Sequence, residues 1–542
     1  MTMRRTISLA LTVGSLLSGR AAAQEQDAAL PGVAPAPGLL AVTDTTHTPG
    51  FGMRMDLSRA SAPDPRLFGI QQQRPKGRGV PDSLPCPDCD PRDKHFLRAS
   101  AELFVVWFVP WAVNYYVRDA PFAHISLNSW WDNITGQWVY DDNTFQTNQF
   151  AHPMHGAFYF NSFRANGYNF WASSAASWVG AFGWECCGET HPPAPNDLVN
   201  TAVGGMTLGE MMWRLSTLAL DNTSTGSGRT WHEIGGFLMS PWNGFNRWVT
   251  GRSNDVVANP PSWRPAWVQG SLDVGPRILG TKGNSADVFD STQSDFTVGF
   301  RLVYGRPIQD LDGRPFSTFQ MNGEIATGDR QKLQVLQVRG SLGGKELHNG
   351  EKATHMLAAM LHYDYNFVPN RDTAFNAVVF EYGGQSISGG LQSVFRMGHN
   401  WQLITNASLR AVLMGAVRAD YYEITGEGRN YDFGPGAGGI LSATLARPRL
   451  LFTMAYNGTY IHTVNGTDYD HYLDQGSVDA RYYFSRRVGA GIRYDYFHRN
   501  SRASDAATAP GPNTQLTVPQ LRLFVATAIP RWGAGQDVPA RQ

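Results

Sequence analysis

Charge of one sign is missing from this chain: 45 Lys and Arg stand against 45 Asp and Glu in 542 residues, so the formal charge balances at zero. A balanced chain offers no basic face to a polyanion, which excludes nucleic acid as a partner. Missing too is an apolar run of the roughly 20 residues that a spanning helix needs; the strongest such stretch, Leu103 to Val117, is shorter. Cysteine is scarce, with 4 in all. Cys86 and Cys89 lie in Cys-Pro-Asp-Cys, whereas Cys186 and Cys187 are adjacent and cannot supply the second Cys-x2-Cys of a tetrahedral zinc site. In an oxidising compartment a disulfide among these four is expected, with its connectivity open. The Gly-x-Ser-x-Gly elbow and the His-Glu-x-x-His helix are absent, and no Ser stands in a recognisable nucleophile context.

What is present begins with a secretory layout over 1–23: Arg4 and Arg5, an apolar run from Ile7 to Leu17, then Ala21-Ala22-Ala23. Residues 24–92 are rich in Pro, Gly, Ala, Asp and Arg and lack periodicity, which predicts a flexible tether. From Asp93 to about 255 the pattern is helical, and Pro110 should kink the first apolar segment. His124–Trp131 and Gln137–Tyr140 flank Asn-Ile-Thr-Gly and read as a short hairpin. After Glu233 the chain reads as loop through Arg247. Over 262–532 the period becomes two, in strand-length runs separated by Gly, Asn, Asp and Pro clusters. These runs are longer than sandwich strands and have aromatics near their ends; about thirteen of them, with the even number that closure requires, predict a closed antiparallel barrel of the outer-membrane type with about 12 strands. Residues 533–542 form a tail.

Polar residues gather between Asn148 and Arg214. A helix opening at His152-Pro153 and running to about Asn166 puts His155, Tyr159, Ser162 and Asn166 on one stripe. Trp184 to Glu189 reads as a second helix carrying Glu185 and Glu189 one turn apart, broken by Pro192-Pro193-Ala194-Pro195. Asn196 or Asp197 then caps a third, on which Thr201, Gly205 and Gly209 recur every four residues and permit close helix contact. Glu210 and Arg214 are spaced for an ion pair.

The segment Asp93–Gly251 resembles a bacterial family of unknown function, domain-of-unknown-function family 3943. The likeness is carried by Asn148-Gln149-Phe150-Ala151-His152-Pro153, His155-Gly156, Tyr159, Arg164, Asn166-Gly167, Trp184-Glu185, Glu189, Asn196-Asp197, Asn200, Gly204-Gly205, Gly209-Glu210 and Arg214. Adjacent Cys186-Cys187 depart from it. The resemblance implies an envelope protein with a helical portion ahead of a barrel, and no established activity. Asp93-Lys94-His95, Trp184-Glu185 and Asp197-x-x-Asn200-x-x-x-Gly204 are also similar to small membrane-associated helical proteins of the VanZ-like type, although His95 follows Lys94 directly. That similarity implies polar residues of several helices around one buried site.

Two functional classes follow. In the first, the protein is a structural or transport-related outer-membrane barrel, with outer-membrane lipid as its surroundings and a small solute or lipid as ligand. Its helices then sit on the periplasmic side or in the lumen as a plug. His95, His152, His155, Tyr159, Arg164, Asn166, Glu185, Glu189, Asp197, Asn200, Glu210 and Arg214 form a mutually paired buried network, and neither metal nor cofactor is required. In the second, the protein is an enzyme of envelope lipid or glycan. His155 is then a general base oriented by Glu185, or Glu185 and Glu189 join His152 and His155 as ligands to a metal.

Overall fold

The computed structural model describes residues 93–528, with 84–86, 89 and the dipeptides 38–39 and 70–71 ahead of them. Excepted are 266, 285–290, 307, 309–310, 312, 328–331, 370–377, 399, 423–427 and 508. The expected signal peptide, most of the tether and the tail lie outside the described residues.

Twelve strands follow the helices: β1 (Trp267–Gly283), β2 (Ser291–Tyr304), β3 (Phe319–Ala326), β4 (Leu333–Asn349), β5 (Ala353–Pro369) and β6 (Val378–Met397). β7 (Trp401–Arg418), β8 (Tyr431–Arg447), β9 (Leu450–Ile461), β10 (Tyr469–Tyr483), β11 (Val488–Ala503) and β12 (Thr514–Ala528) complete the set. Each pairs antiparallel with the next, and β12 pairs with β1, so the sheet closes without an edge. Short turns at 350–352, 448–449 and 484–487 share one end with the start of β1 and the close of β12. The links 419–430 and 504–513 occupy the other end, while the β2–β3 link, 305–318, lies at the end of the short turns.

Alternation decides what fills the barrel and what clothes it. Inward positions carry paired charges. Arg277 donates to Asp295 at 2.5 Å and to Glu324 at 2.9 Å, Arg481 bridges Asp479 and Asp273, and Arg339 and Arg410 both hold Asp364. Apolar inward clusters lie on either side of this belt: Phe380, Tyr382, Leu473, Phe497 and Val518 toward the links 419–430 and 504–513, and Met356, Met360, Leu451 and Tyr483 toward the short turns. Outward positions such as Leu272, Leu409, Leu441, Met454, Ile492 and Leu523 are exposed. Charge inside and hydrocarbon outside is the inverse of a soluble barrel.

Among the described residues, eight α-helices precede the strands: α1 (Phe96–Tyr116), α2 (Leu127–Thr135), α3 (His152–Arg164), α4 (Phe170–Cys187), α5 (Pro195–Val199), α6 (Gly205–Ala219), α7 (Gly226–Met239) and α8 (Pro241–Val249). A wide π turn at Thr147–Ala151 leads into α3, and another at Asn200–Gly204 joins α5 to α6. α3 and α6 touch backbone to backbone at Gly156 and Gly205: a Cβ on Gly156 would stand 1.7 Å from the Thr201 carbonyl oxygen. Glu210 fastens the same pair of helices. It accepts from Arg164 Nε at 2.6 Å and from Arg214 Nε at 2.8 Å, while Arg214 Nη2 reaches the Pro315 carbonyl of the β2–β3 link at 3.0 Å.

The helices lie against the outside of the barrel. Asp364 points inward to Arg339 and Arg410, so its neighbours Tyr363 and Tyr365 point outward, yet both are fully buried. Tyr363 Oη donates to the Gln149 carbonyl at 2.7 Å, and Phe145 packs on Tyr365 and Phe367 at 5.7 and 6.2 Å. Gln149 lies over Gly383, where a side chain would collide with it. Tyr431 Oη donates to the Asn143 carbonyl and accepts from Asn148 Nδ2, each at 2.8 Å.

Among the described residues the lumen is occupied by the barrel's own side chains and the helices take the outer wall, which corrects the expectation of a lumenal plug or a domain beneath the barrel. Other expectations shift as well. The Asn-Ile-Thr-Gly hairpin is helix α2, closed at its start by reciprocal Ser126–Ser129 hydrogen bonds. The second helix starts at Phe170, well before Trp184, and the loop expected after Glu233 is the end of α7 followed by α8. α1 begins at Phe96 and is, by length and composition, a helix able to cross a membrane. Cys86 is bridged to Cys89, and Cys186 to Cys187.

Three outcomes follow. Gly156→Leu should force α3 from α6, at a cost of about 1–3 kcal/mol or more. Protease should then cut within 93–255 while the unboiled barrel keeps its folded mobility on a gel; unchanged resistance would refute the backbone contact. Glu210→Gln strands two buried guanidinium groups and should cost about 3–5 kcal/mol in thermal or denaturant unfolding. Asp119→Asn, at an exposed pair with His124, should stay within about 1 kcal/mol.

Candidate functional site

The polar residues of the helices divide into three places. Glu210, Arg164 and Arg214 form the fork described above, and Arg164 also lies flat over Trp213 at 3.6 Å. This group is internally satisfied and has a scaffold's geometry. A second place surrounds Asn166, which donates to Glu102 Oε2 at 2.8 Å and accepts from Arg98 Nε at 2.5 Å. His95 stands at its rim, exposed, with its backbone N–H on the Asn166 carbonyl and Nε2 3.3 Å from Asp93.

The third place lies at the end of the barrel with the links 419–430 and 504–513, where the first turns of two helix segments meet. Pro153 and Gly204 touch there: a Cβ on Gly204 would fall 2.6 Å from the Pro153 Cβ. Just ahead of Pro153, the π turn carries Asn148 and α3 opens on His152; just ahead of Gly204, α5 and the second π turn carry Asp197 and Asn200. A π turn adds a residue to the helical repeat and re-aims side chains, a distortion frequent at functional sites. Asn196 clips the preceding link down, accepting from the Asp141 N–H at 3.0 Å and donating to Asp197 Oδ1 at 2.6 Å.

The result is a convergence of Asp141, His152 and Asp197, each offering one ligand-type atom within 4.8 Å of the others. His152 Nε2 is 3.7 Å from Asp197 Oδ2, beyond hydrogen-bonding range, and is shut away from solvent with no hydrogen-bond partner. Asn200 is fully buried, and neither atom of its amide has a partner; Asn148 is fully buried with its Oδ1 unpaired. Burial lifts the Asp197 carboxyl well above the usual carboxylate range, and Asp141, Glu185 and Glu189 push it the same way, against Arg429. Buried polar atoms without partners each cost about 1–3 kcal/mol, so this corner of the fold is destabilised as it stands.

His155 and Glu185 do not meet as a base and its orienter. His155 Nε2 lies 3.1 Å from the Val106 carbonyl oxygen, and its ring stacks on Tyr159 at 4.5 Å. Glu185 Oε2 accepts from the Ala194 N–H at 2.7 Å and braces the turn before α5. Glu189 offers its carbonyl to Asn133 Nδ2 at 2.9 Å. Thr201, Gly205 and Gly209 line the contact of α6 with α3, where a Cβ on Gly209 would strike Phe160. Sequence reasoning missed Asp141 and Glu102, and it noticed Asn148 without placing it in the polar network. Asp141 sits in a polar link with no periodicity, and only its place in Asp141-Asp142-Asn143 ahead of the helix could have drawn notice.

No curated protein matches the sequence. Among solved structures, the NanC porin aligns at a TM-score of 0.23 and 7% identity, over 46% of this chain and 98% of that one. An outer membrane channel from Pseudomonas putida F1 aligns at 0.24 and 11%, over 47% and 96%. The Pseudomonas putida toluene transporter TodX aligns at 0.20 and 9%, over 50% and 91%. At such scores these likenesses add nothing to the strand pairing, which by itself closes the barrel. Residues 137–242 match the family model described as Domain of unknown function (DUF3943). That match lies within the helical segment, and a closed twelve-strand barrel follows it.

Proposed function

We propose that the protein is an outer-membrane protein whose barrel anchors a helical unit within the membrane, and that the corner around Asp197 receives the polar head group of an envelope amphiphile. The observation that carries this reading is the exterior of the helices. Leu97, Phe104, Trp171, Val179, Phe182, Trp231 and Leu238 are exposed large apolar residues of α1, α4 and α7. An apolar surface of that extent beside an apolar barrel wall belongs in hydrocarbon. Among the described residues, ion pairs and apolar clusters fill the lumen, which supports an anchor over an open pore. Bacterial barrels keep short turns in the periplasm, so the Asp197 corner, at the end opposite the turns 350–352, 448–449 and 484–487, belongs to the outer leaflet. Buried polar atoms that find no partner within the protein are what a bound head group would satisfy.

A brace with no ligand is the competing reading, favoured by the fully paired Glu210 fork. Asn200→Leu separates the two. Replacing an unpaired buried amide by an apolar group of similar size should leave thermal stability equal or higher. On the proposed reading, mass spectrometry of tag-free protein released from outer membranes should find an amphiphile retained by the unaltered chain and lost from Asn200→Leu. Equal retention by both, with equal folding, would contradict it. In planar bilayers the unaltered protein should show no steady open-pore conductance.

A further inference from the structure

We infer that Asp141, His152 and Asp197 form a binding site for one divalent first-row transition-metal ion, which would hold a phosphate-bearing head group. The inference rests on the head-group reading for the phosphate, while the ion stands on geometry alone.

Three ligand atoms of two chemical kinds converge: one imidazole nitrogen and two carboxylate oxygens, all within 4.8 Å. Ligand atoms about 2.0–2.2 Å from one zinc ion lie at most about 4.4 Å from each other. The 3.7 Å between His152 Nε2 and Asp197 Oδ2 already fits an ion between them. Were the pair a simple salt bridge, the two atoms would close to hydrogen-bonding distance; they stand apart although both side chains are mostly buried. Asp141 lies on the link ahead of the first π turn, so its approach requires no helix to move.

A second observation points to a ligand independently of the acidic groups. The Asn200 side chain, one helical turn beyond Asp197, is fully buried with both amide atoms unpartnered, and His152 Nε2 is closed to solvent and unpartnered. An imidazole nitrogen 3.7 Å from a carboxylate oxygen leaves room for an ion between them, and the Asn200 amide, one turn beyond Asp197, can orient a ligand of that ion. One imidazole and two carboxylates suit Zn2+ or Mn2+ better than the all-oxygen cages of Ca2+. Such a set leaves coordination positions open. They face a corner where carboxylates would otherwise repel a phosphate, and an ion of charge +2 reverses that repulsion. Arg429, which lies near Asp142 at 3.7 Å, adds a cation on the same side.

The test uses tag-free full-length protein in detergent, stripped with EDTA, dialysed and titrated with Zn2+ in a calorimeter, with metal content read by mass spectrometry. One ion per chain is expected. Asp141→Asn, which alters only the link, should weaken binding by more than about 100-fold, beyond the 10–100-fold typical of losing an outer partner. His152→Gln should do the same, and both variants should keep the gel mobility of the folded barrel. Absence of a stoichiometric site, or an affinity unmoved by Asp141→Asn, would overturn the metal site. The unaltered protein is then mixed with vesicles containing a phosphate-bearing lipid, with Zn2+ and after EDTA. Lipid retention only with Zn2+ supports both readings. Zn2+ bound with no lipid retained keeps the ion and overturns the phosphate. Lipid retained equally after EDTA keeps the head-group reading and overturns the role of the ion.

Discussion

Everything distinctive about this molecule depends on one contact, the outer wall of the barrel with the helices. Tyr363, Tyr365, Phe367, Tyr431 and Phe433 are outward residues by strand alternation, and in an ordinary barrel they would meet lipid or the interface. Here Phe145, Gln149 and Tyr140 cover them. A tyrosine hydroxyl turned into hydrocarbon would be costly without a partner. These hydroxyls instead find backbone carbonyls of the link and π turn that open α3. The wall therefore fixes where the first π turn lies, and the π turn fixes where His152 and Asn148 point.

From that contact the rest follows inward through the helices. Gly156 and Gly205 let α3 and α6 approach to backbone distance, which brings the two π turns side by side. The Glu210 carboxylate is satisfied by two guanidinium groups, whereas at the site His152 Nε2 and both amide atoms of Asn200 are not satisfied. Proteins keep unsatisfied buried groups where the surroundings over-determine them, and here the barrel wall on one side and the Asn196 clip on the other do so.

The barrel was largely legible in the sequence because alternation writes inside and outside directly into strands such as Ser477-Val-Asp-Ala-Arg-Tyr-Tyr-Phe484. The helices were less so. α4 opens Phe170-Trp-Ala-Ser-Ser-Ala-Ala-Ser, where small residues face protein and Trp faces outward, so no polar stripe marks it. α7 and α8 carry Gly, Pro and Asn at positions that read as loop, and packing overrides propensity there. The wall contact left no trace at all, because Tyr and Phe near strand ends suit lipid as well as protein. Of the site, His152, Asp197 and Asn200 stood out as polar residues among apolar ones. Asp141 did not, because tertiary contact through Asn196, and not local pattern, brings it in.

The most direct measurement of the central claim is the surroundings of the helices in a native membrane. A spin label placed at Val179, on the exposed face of α4, is read for its relaxation by dissolved oxygen and by a water-soluble nickel chelate. The account predicts strong relaxation by oxygen and little by the chelate, matching a label at Leu409 on the bare wall of the barrel. Strong relaxation by the chelate at Val179, with Leu409 still shielded, would place the helices in water and contradict it.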